Sequence, residues 1–93
     1  DLAEEKRDFA FVVDKNITCA QIENGIREAC KYVTDVNLFD VYEGIQLGPD
    51  KKSMAFSVVF TPQEEELTGE MVEGFVKKIL KHLEATLDIR LRA

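Results

Sequence analysis

The stretch VNLFDVYEG, residues 36–44, decides the fold that the sequence predicts. Alternate side chains of an extended strand point to opposite faces. We therefore expect Phe39 and Val41 on a core face, and Leu38, Asp40 and Tyr42 on the other. That second face carries a carboxylate and an aromatic ring two residues apart. The combination suits unpaired bases, because a base can stack on the ring while its edge bonds the carboxylate.

Period-two alternation predicts three further strands, at residues 7–14, 52–60 and 88–92. Gly48 and Pro49 break the chain between the central stretch and the strand that follows it. In the first strand Phe9 and Phe11 mark the core face, and Ala10 lies on the opposite one. In the strand at residues 52–60, the outward positions are Ser53, Ala55, Ser57 and Val59, and the inward positions are Met54, Phe56, Val58 and Phe60.

Two helices are expected between these strands. Thr18 followed three residues later by Gln21 is a capping-box signature, and apolar residues then recur at helical spacing through residues 18–33. Thr68 can cap a second helix, whose apolar stripe runs from Val72 to Leu87.

The resulting order, β-α-β-β-α-β, is that of the α+β, ferredoxin-like sandwich. Right-handed crossovers place both helices on one face of a four-stranded antiparallel sheet and leave the other face open. We expect residues 1–6 to be a linker end and residues 7–93 to form one domain.

The composition limits the partners that such a domain can have. The chain has 93 residues, of which 45% are hydrophobic, enough for one core without a cofactor, disulfide or metal. Its formal net charge of −6 argues against indiscriminate nucleic-acid binding, which needs clustered Lys and Arg. Acidic residues concentrate near the second helix, so we expect a nearly neutral sheet face and only local contact with RNA.

Other function classes find little support in the sequence. Cys19 and Cys30 are separated by about 16 Å if one helix holds both, which is too far for a disulfide or a shared metal. Both lie on the apolar stripe of that helix, so we expect buried thiols. No run of 18 apolar residues and no charged leader followed by an apolar run predicts a membrane span or signal peptide. No set of nucleophile, base and orienting residue predicts catalysis.

Several segments together carry a resemblance to a known family. They are RDFAFVV at residues 7–13, LFDVY at 38–42 with Gly44, KKS at 51–53, AF at 55–56 and LT at 67–68. In order and spacing they resemble the ferredoxin-fold anticodon-binding domain that closes the beta subunit of phenylalanyl-tRNA synthetase. The resemblance implies a non-catalytic piece of a larger subunit that holds the anticodon stem-loop of the phenylalanine tRNA. It also implies a cytoplasmic ligase of protein biosynthesis, in which the rest of the beta subunit and the alpha subunit are partners and ATP and magnesium act elsewhere.

The same resemblance implies a set of RNA-binding residues on the open face. Tyr42 would stack on a base, Asp40 would accept a hydrogen bond from a base, Ala10 would leave room for it, and Ser53 would offer a hydroxyl. From their charge rather than from the resemblance, we expect Lys51 and Lys52 to contact phosphates. The full set is Ala10, Asp40, Tyr42, Ser53, Lys51 and Lys52.

The chain departs from the family pattern at two places. Glu65 and Glu66 stand where the family commonly has Arg before the Leu-Thr pair, and Asp50 stands where it often has Gly. The first change removes positive charge, and both make the local charge more negative. A ferredoxin-like protein–protein interaction domain without RNA binding is therefore the alternative, and Asp40 could instead pair with Lys52 across the strands.

Overall fold

The computed structural model describes residues 2–91, with Arg90 and Leu91 described by their backbone alone. Three ten-residue strands, two helices and a two-residue final strand follow in the order that the sequence predicts. A short 3₁₀ turn joins the second strand to the third. The elements are β1 (Glu5–Asp14), α1 (Cys19–Ala29), β2 (Val33–Tyr42), the turn Ile45–Leu47, β3 (Lys51–Phe60), α2 (Gly69–Leu87) and β4 (Arg90–Leu91).

The sheet has the strand order β2-β3-β1-β4, and every neighbouring pair is antiparallel. A ferredoxin fold with two helices and an antiparallel sheet is therefore confirmed. The fourth strand is shorter than the expected residues 88–92, because Asp88 adopts a left-handed conformation (φ 54°) that ends α2. Arg92 lies outside the described residues.

The helices begin where the capping signals predict. The backbone N–H of Gln21 donates to the hydroxyl of Thr18 (3.1 Å), whose own N–H donates to the Gln21 amide oxygen (2.8 Å). The hydroxyl of Thr68 accepts from the N–H of Met71 (3.1 Å). At its other end α1 stops four residues before the expected position, because Cys30 is already extended and Val33 pairs with Phe60 in the sheet.

The core lies between one face of the sheet and the two helices. Phe9, Phe11 and Val13 of β1 are buried there, as the alternation predicts. α1 and α2 approach each other at Gly25, where an added Cβ would lie 2.7 Å from Leu83 Cδ2. This close approach explains why α1 contains a glycine, although glycine inside a helix is destabilising. The largest fully buried side chains are Phe11, Phe56, Phe60, Ile22, Ile26, Ile79, Leu83, Val58 and Val72.

Strand β2 departs from simple alternation. Leu38 pairs with Phe56 and Asp40 pairs with Ala55, so Phe39 is an extra residue in a β-bulge. From Val36 to Leu38 the even-numbered residues face the helices, and after the bulge it is Val41, opposite Met54, that does so. The expectation that Phe39 joins the core and Leu38 the open face is therefore wrong.

Candidate nucleic-acid interface

The sheet face away from the helices, here called the open face, is organised in rows across the strands. Residues paired across an antiparallel sheet share a face, and neighbouring strands lie about 4.8 Å apart. Successive rows on one face are about 7 Å apart along the strands. From the turn end, the rows are Asp14–Lys51, Val12–Ser53–Tyr42, Ala10–Ala55–Asp40, Asp8–Ser57–Asn37 and Lys6–Val59–Asp35.

Four of the expected site residues lie in two adjacent rows. Tyr42 is opposite Ser53, and Asp40 is opposite Ala55, whose other neighbour is Ala10. Asp40 is exposed, Ala10 is half-buried, and Ser53 is only 9% exposed. The arrangement thus gives a low floor of small side chains beside a carboxylate and a ring. The hydroxyl of Ser53 is the least accessible of these groups.

The side chain of Tyr42 is 43% exposed, and residues that follow β2 contact it on one side. Its hydroxyl accepts a hydrogen bond from the side-chain amide of Gln46 in the 3₁₀ turn. Gly44 lies directly against the ring, since a Cβ there would be 2.5 Å from the Tyr42 hydroxyl and 2.8 Å from its Cζ. Gly44 therefore makes room for this ring position.

The two expected lysines are not brought together. Lys51 lies on the open face, where its ammonium donates to the carboxylate of Asp14, and this contact raises the pKa of Lys51. Lys52 is opposite Val13, a core residue, and so points to the helix side of the sheet. No ion pair between Lys52 and Asp40 occurs within residues 2–91. Lys15, close to this end of the sheet, is paired with Glu43 at 3.1 Å.

The open face is more acidic than expected. On β1, β2 and β3 it carries two lysines, Lys6 and Lys51, against four aspartates, Asp8, Asp14, Asp35 and Asp40. One lysine is already neutralised by Asp14. Contacts to phosphates on these strands are therefore few, and base contacts are the stronger chemistry that the face offers.

Phe39 adds an aromatic side chain to the open face. It is 58% exposed and lines a shallow depression of about 310 Å³. The other lining residues, Lys6, Asp8, Asn37 and Ser57, all belong to open-face rows. The bulge therefore brings a second ring to the same face as Tyr42.

Within residues 2–91, no group of three or more His, Cys, Asp or Glu side chains could hold a metal ion. Cys30 is buried, Cys19 is half-buried, and both are free thiols. No helix in that part of the chain is both long and apolar enough to cross a membrane.

Comparison with known proteins bears directly on the open face. The family model described as the ferredoxin-fold anticodon binding domain matches residues 3–92. The chain belongs to this family. The resemblance of the segments at residues 7–13, 38–42 and 51–53 is thereby confirmed at the level of the family.

Curated relatives of this anticodon-binding domain are phenylalanine–tRNA ligase beta subunits. The subunit of Bacillus subtilis is 45% identical over 87 residues, and that of Lactococcus lactis is 42% identical over 87. The subunit of Carboxydothermus hydrogenoformans is 40% identical over 90 residues. These matches cover 92%, 92% and 96% of this chain but 11% of each relative, so the chain spans about a tenth of their length.

Sequence reasoning missed Phe39 as an open-face residue of this anticodon-binding domain. The signal was present in the spacing of Val36, Leu38 and Val41, which is two residues and then three. Strict alternation cannot place all three of these residues on the same face, whereas a bulge with one inserted residue can.

Proposed function

We propose that this domain binds the anticodon stem-loop of the phenylalanine tRNA on its open face, as the tRNA-binding module of a phenylalanyl-tRNA synthetase beta subunit. One observation carries the proposal: Tyr42, Asp40 and Ala10 share two adjacent rows on the helix-free face of the sheet, with the tyrosine ring partly exposed. Sequence-specific RNA recognition uses unpaired bases that stack on aromatic rings and bond through their edges.

Each residue has a separate chemical role in this proposal. Tyr42 supplies stacking, which every base can make and which therefore gives affinity more than selectivity. Asp40 accepts only from base N–H groups, so it distinguishes bases by their edges. Ala10 and Ala55 keep the floor between the strands low enough for a flat ring. Ser53, in the middle of the row that ends at Tyr42, offers a hydroxyl at the floor of the site.

The acidic open face sets the strength of this interaction. Lys51 is engaged by Asp14 and Lys52 lies on the helix side, so neither lysine is a strong phosphate contact in the domain alone. Further contacts from the rest of the subunit would raise the total affinity, because linked sites act at high effective concentration. Moderate affinity and clear base selectivity are the expected properties of the isolated domain.

The wider context is also part of the proposal. The relatives are ligase subunits of which this chain corresponds to 11%, so aminoacylation would occur elsewhere in the assembled enzyme. ATP and magnesium would bind there, the alpha subunit and the remainder of the beta subunit would be partners, and the cytoplasm would be the compartment.

The test is a titration of the ¹⁵N-labelled domain with the anticodon hairpin of phenylalanine tRNA and with a hairpin of altered anticodon. The cognate hairpin should shift the amide signals of Asp40, Tyr42 and Ser53. Tyr42→Ala should weaken its binding about 5- to 140-fold, since stacking is worth about 1–3 kcal/mol per base. Val41→Ala is the matched control, because Val41 is an exposed neighbour that faces the opposite side of the sheet.

A protein-binding role predicts a different result. The exposed glutamates at residues 64–66 and Ile45, which is 98% exposed, belong to none of the rows of the open face. Shifts restricted to α2 or to the 3₁₀ turn, with no change on the open face, would support docking to protein. Equal binding of the hairpin by Tyr42→Ala and the parent domain would reject the stacking role.

A further inference from the structure

Phe39 is an aromatic residue that the fold does not use for its own packing. It is 58% exposed, and within residues 2–91 it makes no ring contact, whereas Phe9, Phe11, Phe56 and Phe60 are buried in the core. The large apolar side chains on the helix side stabilise the domain by being buried, whereas the exposed Phe39 contributes little to its stability. Bulges are frequent next to functional sites, where they redirect a side chain.

The surroundings of Phe39 suit a nucleotide. The depression of about 310 Å³ beside it contains an amide side chain, a carboxylate and a hydroxyl, from Asn37, Asp8 and Ser57. These groups both donate and accept hydrogen bonds, as the edges of bases do. The Asn37 amide donates to the Asp35 carboxylate (2.7 Å), which holds the side chain in place.

The depression also contains a cation. Lys6 lines it, and within the described part of the chain no carboxylate pairs with the Lys6 ammonium, in contrast to Lys51. These groups match the parts of one nucleotide. The aromatic face suits the base, the polar groups at the rim suit the base edge, and the ammonium suits the phosphate.

The position of Phe39 relative to Tyr42 limits which nucleotide it could hold. Phe39 lies beside the Asp8–Ser57–Asn37 row and Tyr42 lies in the Val12–Ser53–Tyr42 row, with one further row between them and successive rows about 7 Å apart. Bases stacked on each other are separated by only about 3.4 Å. Two bases on these two rings would therefore be splayed apart. An unpaired loop can adopt that arrangement, and a continuous double helix cannot.

We propose that Phe39, with Lys6, Asn37, Asp8 and Ser57, forms a second nucleotide site, which holds a loop base flanking the one stacked on Tyr42. This inference rests on the proposed function and adds a residue to it. The open face then reads two bases of single-stranded RNA, one on each side of the Asp40–Ala55–Ala10 row.

The test compares Phe39→Leu, Tyr42→Ala and the parent domain in binding the anticodon hairpin. Leucine keeps an apolar side chain of similar bulk and removes the ring. Phe39→Leu should weaken binding about 5- to 140-fold while leaving thermal unfolding unchanged. Leu38→Ala is the matched control, because Leu38 precedes Phe39 and faces the other side.

A second set of hairpins, each lacking one loop base, identifies the occupant of each ring. The penalty of Phe39→Leu should disappear for one abasic position, and that of Tyr42→Ala for a different position. If Phe39→Leu binds like the parent while Tyr42→Ala is weakened, the second site is rejected and the proposed function stands. If both variants bind like the parent, or the parent does not bind, both proposals fail.

Discussion

Phe39 and Tyr42 lie on the same face of the sheet, although strict alternation would place residues three positions apart on opposite faces. The bulge between Leu38 and Asp40 accounts for the difference. It inserts one residue without a cross-strand partner, so Val41 rather than Phe39 faces the helices. The exposure of both rings follows from this one irregularity in β2.

The bulge predicts that Phe39 contributes little to stability. Phe39→Ala should lower the free energy of unfolding by less than about 1 kcal/mol, because the ring is already 58% exposed to water. Phe56→Ala should cost about 3–5 kcal/mol, since Phe56 is fully buried. Urea unfolding of both variants would measure this. A loss for Phe39→Ala as large as that for Phe56→Ala would show that the ring is packed in solution.

Gly44 is predicted to be needed for the position of the Tyr42 ring. A Cβ at this position would lie 2.5 Å from the tyrosine hydroxyl, so Gly44→Ala must displace the ring or the turn. We expect weaker hairpin binding and a shifted Tyr42 side-chain signal. Gly74→Ala is the control, because nothing lies within 4 Å of its Cβ. That change should stabilise α2 by about 0.5–1 kcal/mol and leave binding unaltered.

Asp40 is predicted to provide selectivity. Asp40→Asn keeps the shape of the side chain but replaces one acceptor oxygen by an amide donor. The preference for the cognate hairpin over an altered one should fall by about 1.5–3 kcal/mol, the usual contribution of a hydrogen bond to a charged group. Affinity for the altered hairpin should stay equal or rise, since a negative charge is removed. An unchanged preference would assign base selection to other residues.

The charge arrangement predicts a shallow salt dependence. For single strands, log affinity falls by about 0.7 per neutralised phosphate for each unit of log salt. Among the described residues no carboxylate pairs with Lys6, whereas Asp14 holds Lys51. Lys6→Ala should therefore reduce this slope by about 0.7, and Lys51→Ala should reduce it less. Titrations at several salt concentrations would measure both slopes. Equal effects of the two substitutions would contradict the role given to Asp14.

Asp14→Asn tests the effect of the ion pair on Lys51 directly. Removing the carboxylate frees the Lys51 ammonium and lowers the negative charge of the open face, so hairpin affinity should rise and the salt slope should steepen. Asp50→Asn is the control for lost negative charge, because the Asp50 carboxylate also raises the pKa of Lys51 but forms no ion pair with it, so this change should have the smaller effect. The same affinity for Asp14→Asn and the parent would show that Lys51 does not reach the RNA.

The sequence predicts the parts of this fold that depend on local chemistry. Thr18, Gln21 and Thr68 cap their helices as expected, and β1 and β3 alternate without interruption. α1 ends before the predicted residue because pairing of Val33 with Phe60 overrides the helical spacing of the apolar residues.

The candidate site was predictable only in part. The two rows that hold Ala10, Asp40, Tyr42 and Ser53 follow from alternation on each side of the bulge. The orientation of Phe39 does not, because a bulge without glycine depends on how β2 pairs with β3. The separation of Lys51 and Lys52 follows from strand geometry, and the engagement of Lys51 by Asp14 depends on the β1–β3 register.

The irregular pairing of β2 has a further consequence for the chain in concentrated solution. β2 is an outer strand, and Leu38, Phe39 and Val41 are exposed along it, a composition that favours strand addition between molecules. Its two interruptions, at Thr34 and at Phe39, break the regular hydrogen-bonding ladder that a second molecule would extend. The same bulge that turns a ring toward the open face thereby protects the domain against edge-to-edge aggregation.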